Sequence, residues 1–162
     1  HHLNSLARFN GHLIVSAFGL REGPLWSSAR SGYIYDVSVG RVLVNDIYHP
    51  HTATAHRGRL YWCESHHGRV VAEDGPVATA DGYPRGMAWL APGILCVGTS
   101  QGRKVSKSMG VVGNLSEPGE TKGACGLSIV DVFRGQCLGY VDMSHVASEV
   151  YDVVLRSGRS RQ

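Results

Sequence analysis

Residues 51–65, HTATAHRGRLYWCES, show in one copy the structural plan that the chain repeats. It contains a polar first residue, a short strand, a turn that ends in Gly58, and an apolar strand that ends in small residues. The same plan recurs in NSLARFNGHLIVSAFG from Asn4 and in RGMAWLAPGILCVGTS from Arg85, with the turn glycines 47 and 35 residues apart. A fourth copy begins at Asp152. The recurrence predicts repeated strand pairs and excludes a helical array, because no segment keeps an apolar period of about 3.6 residues.

A second type of hairpin lies between these copies, in GYIYDVSVGRVLVNDI, GRVVAEDGPVATADGY and CGLSIVDVFRGQCLGYVDM. Each segment has an aspartate shortly before a glycine, at Asp36–Gly40, Asp74–Gly75 and Asp131–Gly135, which indicates a tight turn. Four short strands per unit are typical of β-propeller blades. We therefore predict an all-β protein, a single partial β-propeller domain with about three four-stranded blades at 1–48, 49–82 and 83–149 and the start of a further blade at 150–162.

The number of blades favours a fragment. Propellers close with about 4–8 blades, and an open arc leaves two uncovered sheet faces. We expect about half of a roughly six- or seven-bladed ring, whose partners are the remaining blades of the same chain. The alternative is a half-propeller that assembles with other copies. The missing initial methionine and the fourth copy, cut soon after its beginning, favour the fragment.

The composition is that of a folded, nearly neutral protein. Apolar residues make up 43% and charged residues 18% of the chain, and the formal charge of +3 is too small to indicate nucleic acid. No apolar run is long enough to span a bilayer, so no membrane partner is expected. The four cysteines lack zinc spacing, and we expect free, largely buried thiols in a reducing, cytoplasmic compartment.

The longest interruption of the repeat runs from Gln101 to Ala124. A connection of this length is usually functional or disordered. Its Arg103, Lys104 and Lys107 offer positive charge to an anionic ligand, and the alternative is a solvated loop. The arginines of the C-terminal RSGRSRQ are more simply a solvated end than a binding arm.

With the repeats in register, a series of motifs extends over nearly the whole chain: HLN at 2–4, PH at 50–51, GRLYW at 58–62, GYPRGM at 82–87, CGLSIVD at 125–131 and YDV at 151–153. These motifs resemble those of a family of uncharacterised, mainly bacterial β-propeller proteins, domain of unknown function 4915. Where that family has Ser-Pro-Arg after Pro-His, this chain has Thr52-Ala53-Thr54. The resemblance implies the fold and no particular activity. A more distant likeness to gluconolactonase and strictosidine synthase propellers, which use a central metal, is one of layout alone.

A polar residue opens each predicted blade. In a propeller the innermost strands line the axial channel, so these residues are expected at one mouth of the funnel. Arginine offers a bidentate donor, while histidine and asparagine offer directional hydrogen bonds. The pattern predicts a site for a small polar or anionic ligand, and the alternative is that these side chains satisfy loops between blades. The predicted residues are Asn4, His51, Arg85 and Asp152, with His2 and His49 behind them.

His49 and His51 form a His-Pro-His sequence, in which both imidazoles share one face of an extended segment and could chelate a metal. Zinc needs further ligands, which His2 or Asp152 would supply. The alternative is that Pro50 only interrupts strand pairing at a blade junction. No cofactor is predicted, and a divalent metal stays an open alternative.

Other motifs are interpreted as structural. His66-His67 precedes Gly68 and is predicted to be a solvent-facing hairpin tip, and His56 is predicted to lie in a turn. The GTSQG sequence matches the hydrolase nucleophile elbow, but poor helix formers follow it. Ser100 is therefore interpreted as the small residue that ends a strand.

The predicted function is recognition of a small polar or anionic ligand at the axial funnel. One alternative is a metal-assisted hydrolase or lactonase-like enzyme, in which His51 or Asp152 handles a proton or the metal. Another is a scaffold for protein interactions that uses blade rims and the long loop. The sequence leaves open whether the protein is an enzyme.

Overall fold

A computed structural model describes residues 1–101, 105–106, 111–112 and 124–156. Its regular structure consists of β-strands and two short 3-10 helices, Trp26–Ser28 and Ser65–His67, so the predicted all-β class is confirmed. No helix in the described part is long and apolar enough to cross a membrane. The strands are β1 (Leu3–Phe9), β2 (His12–Ala17), β3 (Gly32–Asp36), β4 (Arg41–Ile47), β5 (Pro50–His56), β6 (Arg59–Glu64), β7 (Arg69–Ala72), β8 (Gly75–Thr79), β9 (Tyr83–Ala91), β10 (Ile94–Ser100), β11 (Val105–Ser106), β12 (Val111–Val112), β13 (Gly126–Asp131) and β14 (Gln136–Asp142).

The strands form three four-stranded antiparallel sheets. Sheet A contains β1 to β4, sheet B contains β5 to β8, and sheet C contains β9, β10, β13 and β14, each in chain order. β11 and β12 pair in a separate ribbon between β10 and β13. This is the strand order that propeller blades require, although the described residues do not close into a ring. The predicted cationic residues Arg103, Lys104 and Lys107 lie outside the described residues.

Glycine and aspartate make the predicted turns. Gly11 and Gly58 have φ values of 81° and 75°, in the left-handed region that favours glycine, where β1 meets β2 and β5 meets β6. In the second type of hairpin, the carboxylate of Asp36 accepts hydrogen bonds of 2.9 and 3.2 Å from two N–H groups of the turn. Asp131 makes the equivalent bonds, of 2.9 and 3.1 Å, in sheet C. The aspartate therefore ends one strand and shapes the turn to the next.

Two apolar layers hold the sheets together. In β3, for example, Gly32, Ile34 and Asp36 are buried while the residues between them are only half-buried, as the two-residue period of a strand requires. Between sheets A and B the layer consists of Ile14, Ile34, Ile47, Ala53, Leu60, Trp62 and Val71. Between sheets B and C it consists of Tyr61, Cys63, Val70, Ala72, Ala78, Ala80, Met87, Leu95, Val97, Val130 and Val132. Sheet B is thus covered on both faces, and the burial of its apolar side chains stabilises the fold.

The segment after sheet C lies against that sheet. Ser100, the last residue of β10, accepts a hydrogen bond from the N–H of Val150 at 3.0 Å and donates to its carbonyl at 3.1 Å. Gly86 permits the approach, because a Cβ there would lie 2.5 Å from Cα of Asp152. The interpretation of Ser100 as a structural residue at a strand end is confirmed.

All four cysteines are free thiols, as the sequence predicts. Cys63, Cys96 and Cys125 are buried, while Cys137 is exposed on β14. Burial raises the pKa of the Cys63 thiol, and the same cause raises the pKa of Cys96 and Cys125. The buried three therefore behave as small apolar side chains rather than as nucleophiles.

Candidate functional site

Histidine and aromatic rings gather where the chain enters β5 and β9. The rings of Phe18 and His49 stack with centroids 4.6 Å apart, and the ring of His51 meets Phe18 edge-on at 5.0 Å. Tyr83, the first residue of β9, lies 5.4 Å from His51. Apolar walls with a few polar atoms are the usual lining of a small-molecule site. We call this group the histidine–aromatic cluster and define it as His2, Phe18, Trp26, His49, His51, His66 and Tyr83.

His51 is buried at the start of β5, where it is 7% exposed. Its Nδ1 lies 2.8 Å from Oγ of Ser65 and 3.3 Å from the carbonyl oxygen of His49. Burial and the charge of Arg85 hold the pKa of His51 well below its usual range, so the ring is neutral at pH 7. Among the described residues, no hydrogen bond reaches its Nε2. One ring nitrogen is therefore held by the protein, and the other has no partner among the described residues.

His49 is also buried, and the protein uses both of its ring nitrogens. Nε2 lies 3.2 Å from the carbonyl oxygen of Ser27, which can only accept, so Nε2 carries the proton. Nδ1 lies 3.1 Å from the hydroxyl of Tyr83, which therefore donates to it. Burial and the neighbouring His66 lower the pKa of His49 to about 4. His49 thus orients Tyr83 and has no ring nitrogen left for a ligand.

The backbone is strained on either side of His51. φ is 52° at His49 and 39° at Thr52, in the left-handed region that a β-branched residue such as threonine rarely adopts. The hydroxyl of Thr52 donates to the carbonyl of Arg85 and so ties β5 to β9. Strained residues of this kind concentrate at functional sites, where the surrounding structure holds them in place.

Arg85 brings a positive charge to the edge of the cluster. Its side chain is 12% exposed, and Nη1 lies 3.4 Å from a carboxylate oxygen of Glu149. The guanidinium lies 4.3 Å from the ring centroid of Tyr151 and 5.7 Å from that of Tyr83. Within the described residues, its buried Nε–H has no hydrogen-bond partner. A buried donor without a partner is costly, which makes this Nε–H a candidate donor to a bound molecule.

The structure brings four of the six predicted binding residues together, namely His2, His49, His51 and Arg85. The ring of His2 lies 5.3 Å from Phe18. The Tyr83 ring joins two of these residues, because it lies 5.4 Å from the ring of His51 and 5.7 Å from the Arg85 guanidinium. Burial and, after it, the charge of Arg85 lower the pKa of both His2 and His51. The start of β1, the start of β5 and β9 therefore converge on one region. That this region binds a ligand stays a prediction.

Asn4 and Asp152, the other two predicted residues, are used differently. The side-chain amide of Asn4 donates to the carbonyl of Pro50 at 3.0 Å, so it bridges sheets A and B. The side chain of Asp152 is exposed, and its Oδ1 accepts from the N–H of Val153 at 2.8 Å. Asn4 therefore makes a bond of the kind that the alternative predicts, and its binding to a ligand stays a prediction.

The prediction that His66 faces solvent is wrong. His66 lies in the 3-10 turn Ser65–His67, is 7% exposed, and its ring meets His49 edge-on at 5.2 Å. Gly68 ends the turn in the left-handed conformation, with φ of 62°, so the chain reverses just after the two histidines. His66 points inward as a result, whereas His67 is exposed and contacts Glu64 at 3.2 Å.

The described residues contain no group of three or more His, Cys, Asp or Glu side chains arranged to hold a metal ion. His49 and His51, which the sequence predicted as a possible pair of metal ligands, differ in their hydrogen bonds. Both ring nitrogens of His49 are bonded within the protein, whereas Nε2 of His51 has no bond to a described residue. His56, which ends β5 before its turn, stacks on Trp89 with centroids 4.0 Å apart. It lies at the opposite end of β5 from His51.

Ser65, which contacts His51, is a residue of the candidate site that the sequence analysis did not single out. Its hydroxyl donates to the carbonyl of Pro84, next to the blade-opening Arg85. Ser100 makes the equivalent bond to Val150 in the following unit. The register of the repeat contained this signal, because both serines end an apolar strand. Apart from its hydrophobicity, nothing in the sequence indicated that Phe18 belongs to the histidine–aromatic cluster.

Comparison with known proteins identifies a family. A search of curated proteins finds no match. The family model described as "Domain of unknown function (DUF4915)" matches residues 1–161, which include all three sheets and the histidine–aromatic cluster. The resemblance to this family in the sequence motifs is confirmed, and the chain belongs to the DUF4915 family.

Proposed function

We propose that the protein is a propeller-type binding protein that holds a small polar or anionic ligand between Arg85 and His51. The observation that carries the proposal is the buried Nε–H of Arg85, which has no partner among the described residues. Glu149 offsets the charge of Arg85 through a single long contact of 3.4 Å. A carboxylate or phosphate oxygen would complete the hydrogen bonding of the guanidinium in a geometry that arginine favours.

The surroundings support a ligand of small size. Phe18 and Tyr83 flank His51, and Tyr151 covers one face of the Arg85 guanidinium. Aromatic walls exclude water and strengthen the few polar contacts between them. A ligand with a charged end and a short polar body matches this combination of one cation, one neutral imidazole and several rings.

The pKa of His51 favours binding over catalysis. A general base works best when its pKa lies near the operating pH, but burial and Arg85 hold the pKa of His51 well below that range. Nε2 of His51 is therefore better suited to accept a hydrogen bond than to transfer a proton. A hydrolase or lactonase-like reaction would need another proton acceptor.

Substitution of Arg85 tests the proposal. Binding of acetate, lactate and inorganic phosphate is measured by ligand-observed NMR with wild-type protein, Arg85→Gln and Arg8→Gln. Arg8 is exposed on β1, so its variant loses the same formal charge away from the site. We expect at least one anion to bind about tenfold more weakly to Arg85→Gln than to Arg8→Gln. Equal affinities in the two variants, or no anion binding to the wild type, would contradict the proposal.

A further inference from the structure

We infer that Ser65 is a positioning residue that fixes the tautomer of His51, and that the ligand is therefore a small anion that also carries a hydroxyl group, such as a hydroxycarboxylate. This inference rests on the proposed function, because it assigns the chemistry of the same site. It adds a hydrogen-bond donor on the ligand to the negative charge that Arg85 selects.

The proton count at Ser65 determines the tautomer. The Ser65 side chain is fully buried, and its one hydroxyl hydrogen is donated to the carbonyl of Pro84. The oxygen of the hydroxyl can then only accept from Nδ1 of His51, 2.8 Å away. The second neighbour of Nδ1 is the carbonyl of His49 at 3.3 Å, which also only accepts. His51 therefore carries its proton on Nδ1.

The tautomer determines what Nε2 can do. A neutral imidazole protonated on Nδ1 has a lone pair on Nε2, so this atom accepts hydrogen bonds and does not donate them. No described residue supplies a donor to it. Ser65 itself is held from both sides, since its N–H donates to the carbonyl of His49 at 3.2 Å. The acceptor on His51 is thus built before any ligand arrives.

An acceptor next to a cation selects a particular class of ligand. A simple carboxylate satisfies Arg85, but its oxygens repel the lone pair on Nε2 of His51. A carboxylate with a hydroxyl satisfies both groups, because the hydroxyl donates to Nε2 while the carboxylate accepts from the guanidinium. Sites built to hydrogen-bond a hydroxyl discriminate strongly against analogues that lack it. We expect a preference of at least about tenfold.

The experiment has two independent readouts. The first is the tautomer of His51 in the ligand-free protein, measured by two-bond ¹H–¹⁵N correlation NMR with ¹⁵N-labelled histidine. The second is the affinity ratio of matched pairs of acids with and without a hydroxyl, lactate against propionate and 3-hydroxybutyrate against butyrate. The wild type is expected to show protonated Nδ1 on His51 and a ratio of at least about ten for one pair.

Ser65→Ala is compared with Ser128→Ala. Ser128 is also fully buried, and its hydroxyl has no hydrogen-bond partner within the described residues, so its variant loses the same atom without touching His51. In Ser65→Ala we expect His51 to populate the tautomer protonated on Nε2 and the affinity ratio to fall by a factor of about three or more. In Ser128→Ala both readouts are expected to equal those of the wild type.

The outcomes separate this inference from the proposed function. Protonated Nε2 on His51 in the wild type would overturn the role of Ser65 whether or not any acid binds. Equal affinity for acids with and without a hydroxyl would overturn the ligand class and leave the anion site standing. Failure of every acid to bind would overturn the proposed function and the ligand class, while the NMR spectrum would still test the tautomer.

Discussion

Nδ1 of His51 lies 2.8 Å from Oγ of Ser65, and that oxygen gives its own proton to the carbonyl of Pro84. A serine at the end of one strand thereby sets the hydrogen-bonding character of a histidine at the start of another. The same serine links sheet B to β9, so the packing of the sheets and the chemistry of the site depend on one hydroxyl.

Acidification below neutral pH is expected to destabilise the fold through its buried histidines. The pKa of His49 is lowered from 6.5 to about 4, chiefly by burial. Between these values the unfolded chain binds a proton that the folded chain does not, so the free energy of unfolding falls as the pH falls. For His49 the full loss is about 3 kcal/mol, and His51 acts in the same direction. Urea unfolding at several pH values between about 7.5 and 4.5 measures most of this loss in the free energy of unfolding.

A histidine variant isolates this effect. His49→Phe removes the titrating group, so we expect a weaker pH dependence of stability over the same window, despite a lower stability at neutral pH. His145→Gln is the control, since His145 is exposed. The buried carboxylates of Asp36 and Asp131 do not interfere, because hydrogen bonds lower their pKa from 3.8 and their stabilisation is lost only in stronger acid. An unchanged pH dependence in His49→Phe would contradict this account.

Shortening a buried leucine in either apolar layer is expected to lower the free energy of unfolding by a similar amount. Leu60 lies between sheets A and B and Leu95 between sheets B and C, and both are fully buried. Each substitution to alanine should lower the free energy of unfolding by about 2–5 kcal/mol, measured by urea denaturation. Leu6→Ala, at a position 70% exposed, should change it by about 0.5 kcal/mol or less. A loss at Leu6 as large as that at Leu60 would contradict the packing described for sheet A.

Thiol reactivity is expected to single out one cysteine. Cys137 is exposed, whereas burial raises the pKa of Cys63, Cys96 and Cys125. A thiol-reactive dye should label one site rapidly in the folded protein and all four in urea. Mass spectrometry after digestion identifies the labelled residue, and Cys137→Ser should abolish the fast phase. Rapid labelling of Cys63 in the folded state would show that the layer between sheets B and C is open.

The repeat made the fold predictable from the sequence. Gly58 and Asp131 stand at turns whose geometry requires those residue types, so the strands between them could be placed. Strand alternation and turn chemistry are local properties, and a sequence displays them directly. The pairing of strands within each sheet followed from the same reasoning.

The site was predictable only in part. His51 and Arg85 share a register in the repeat, and the structure places their side chains near each other. Asn4 shares that register as well, but its side-chain amide donates a hydrogen bond to the carbonyl of Pro50 in the neighbouring sheet. The burial of His66 depends on a 3-10 turn that ends in Gly68, and the role of Ser65 depends on a tertiary hydrogen bond. The 3-10 turn is not visible in a pattern of residue types, and the repeat shows the position of Ser65 after a strand but not its hydrogen-bond partner.

The most direct test of the central claim is the ¹⁵N chemical shift of Nε2 of His51 during titration with lactate. A hydroxyl that donates to Nε2 changes the shift of this nitrogen, while both nitrogens of His49 are already bonded and should move less. We predict a saturable change at His51 that needs about tenfold more lactate in Arg85→Gln than in Arg8→Gln or the wild type. A titration in which lactate binds while Nε2 of His51 keeps its shift would contradict the account.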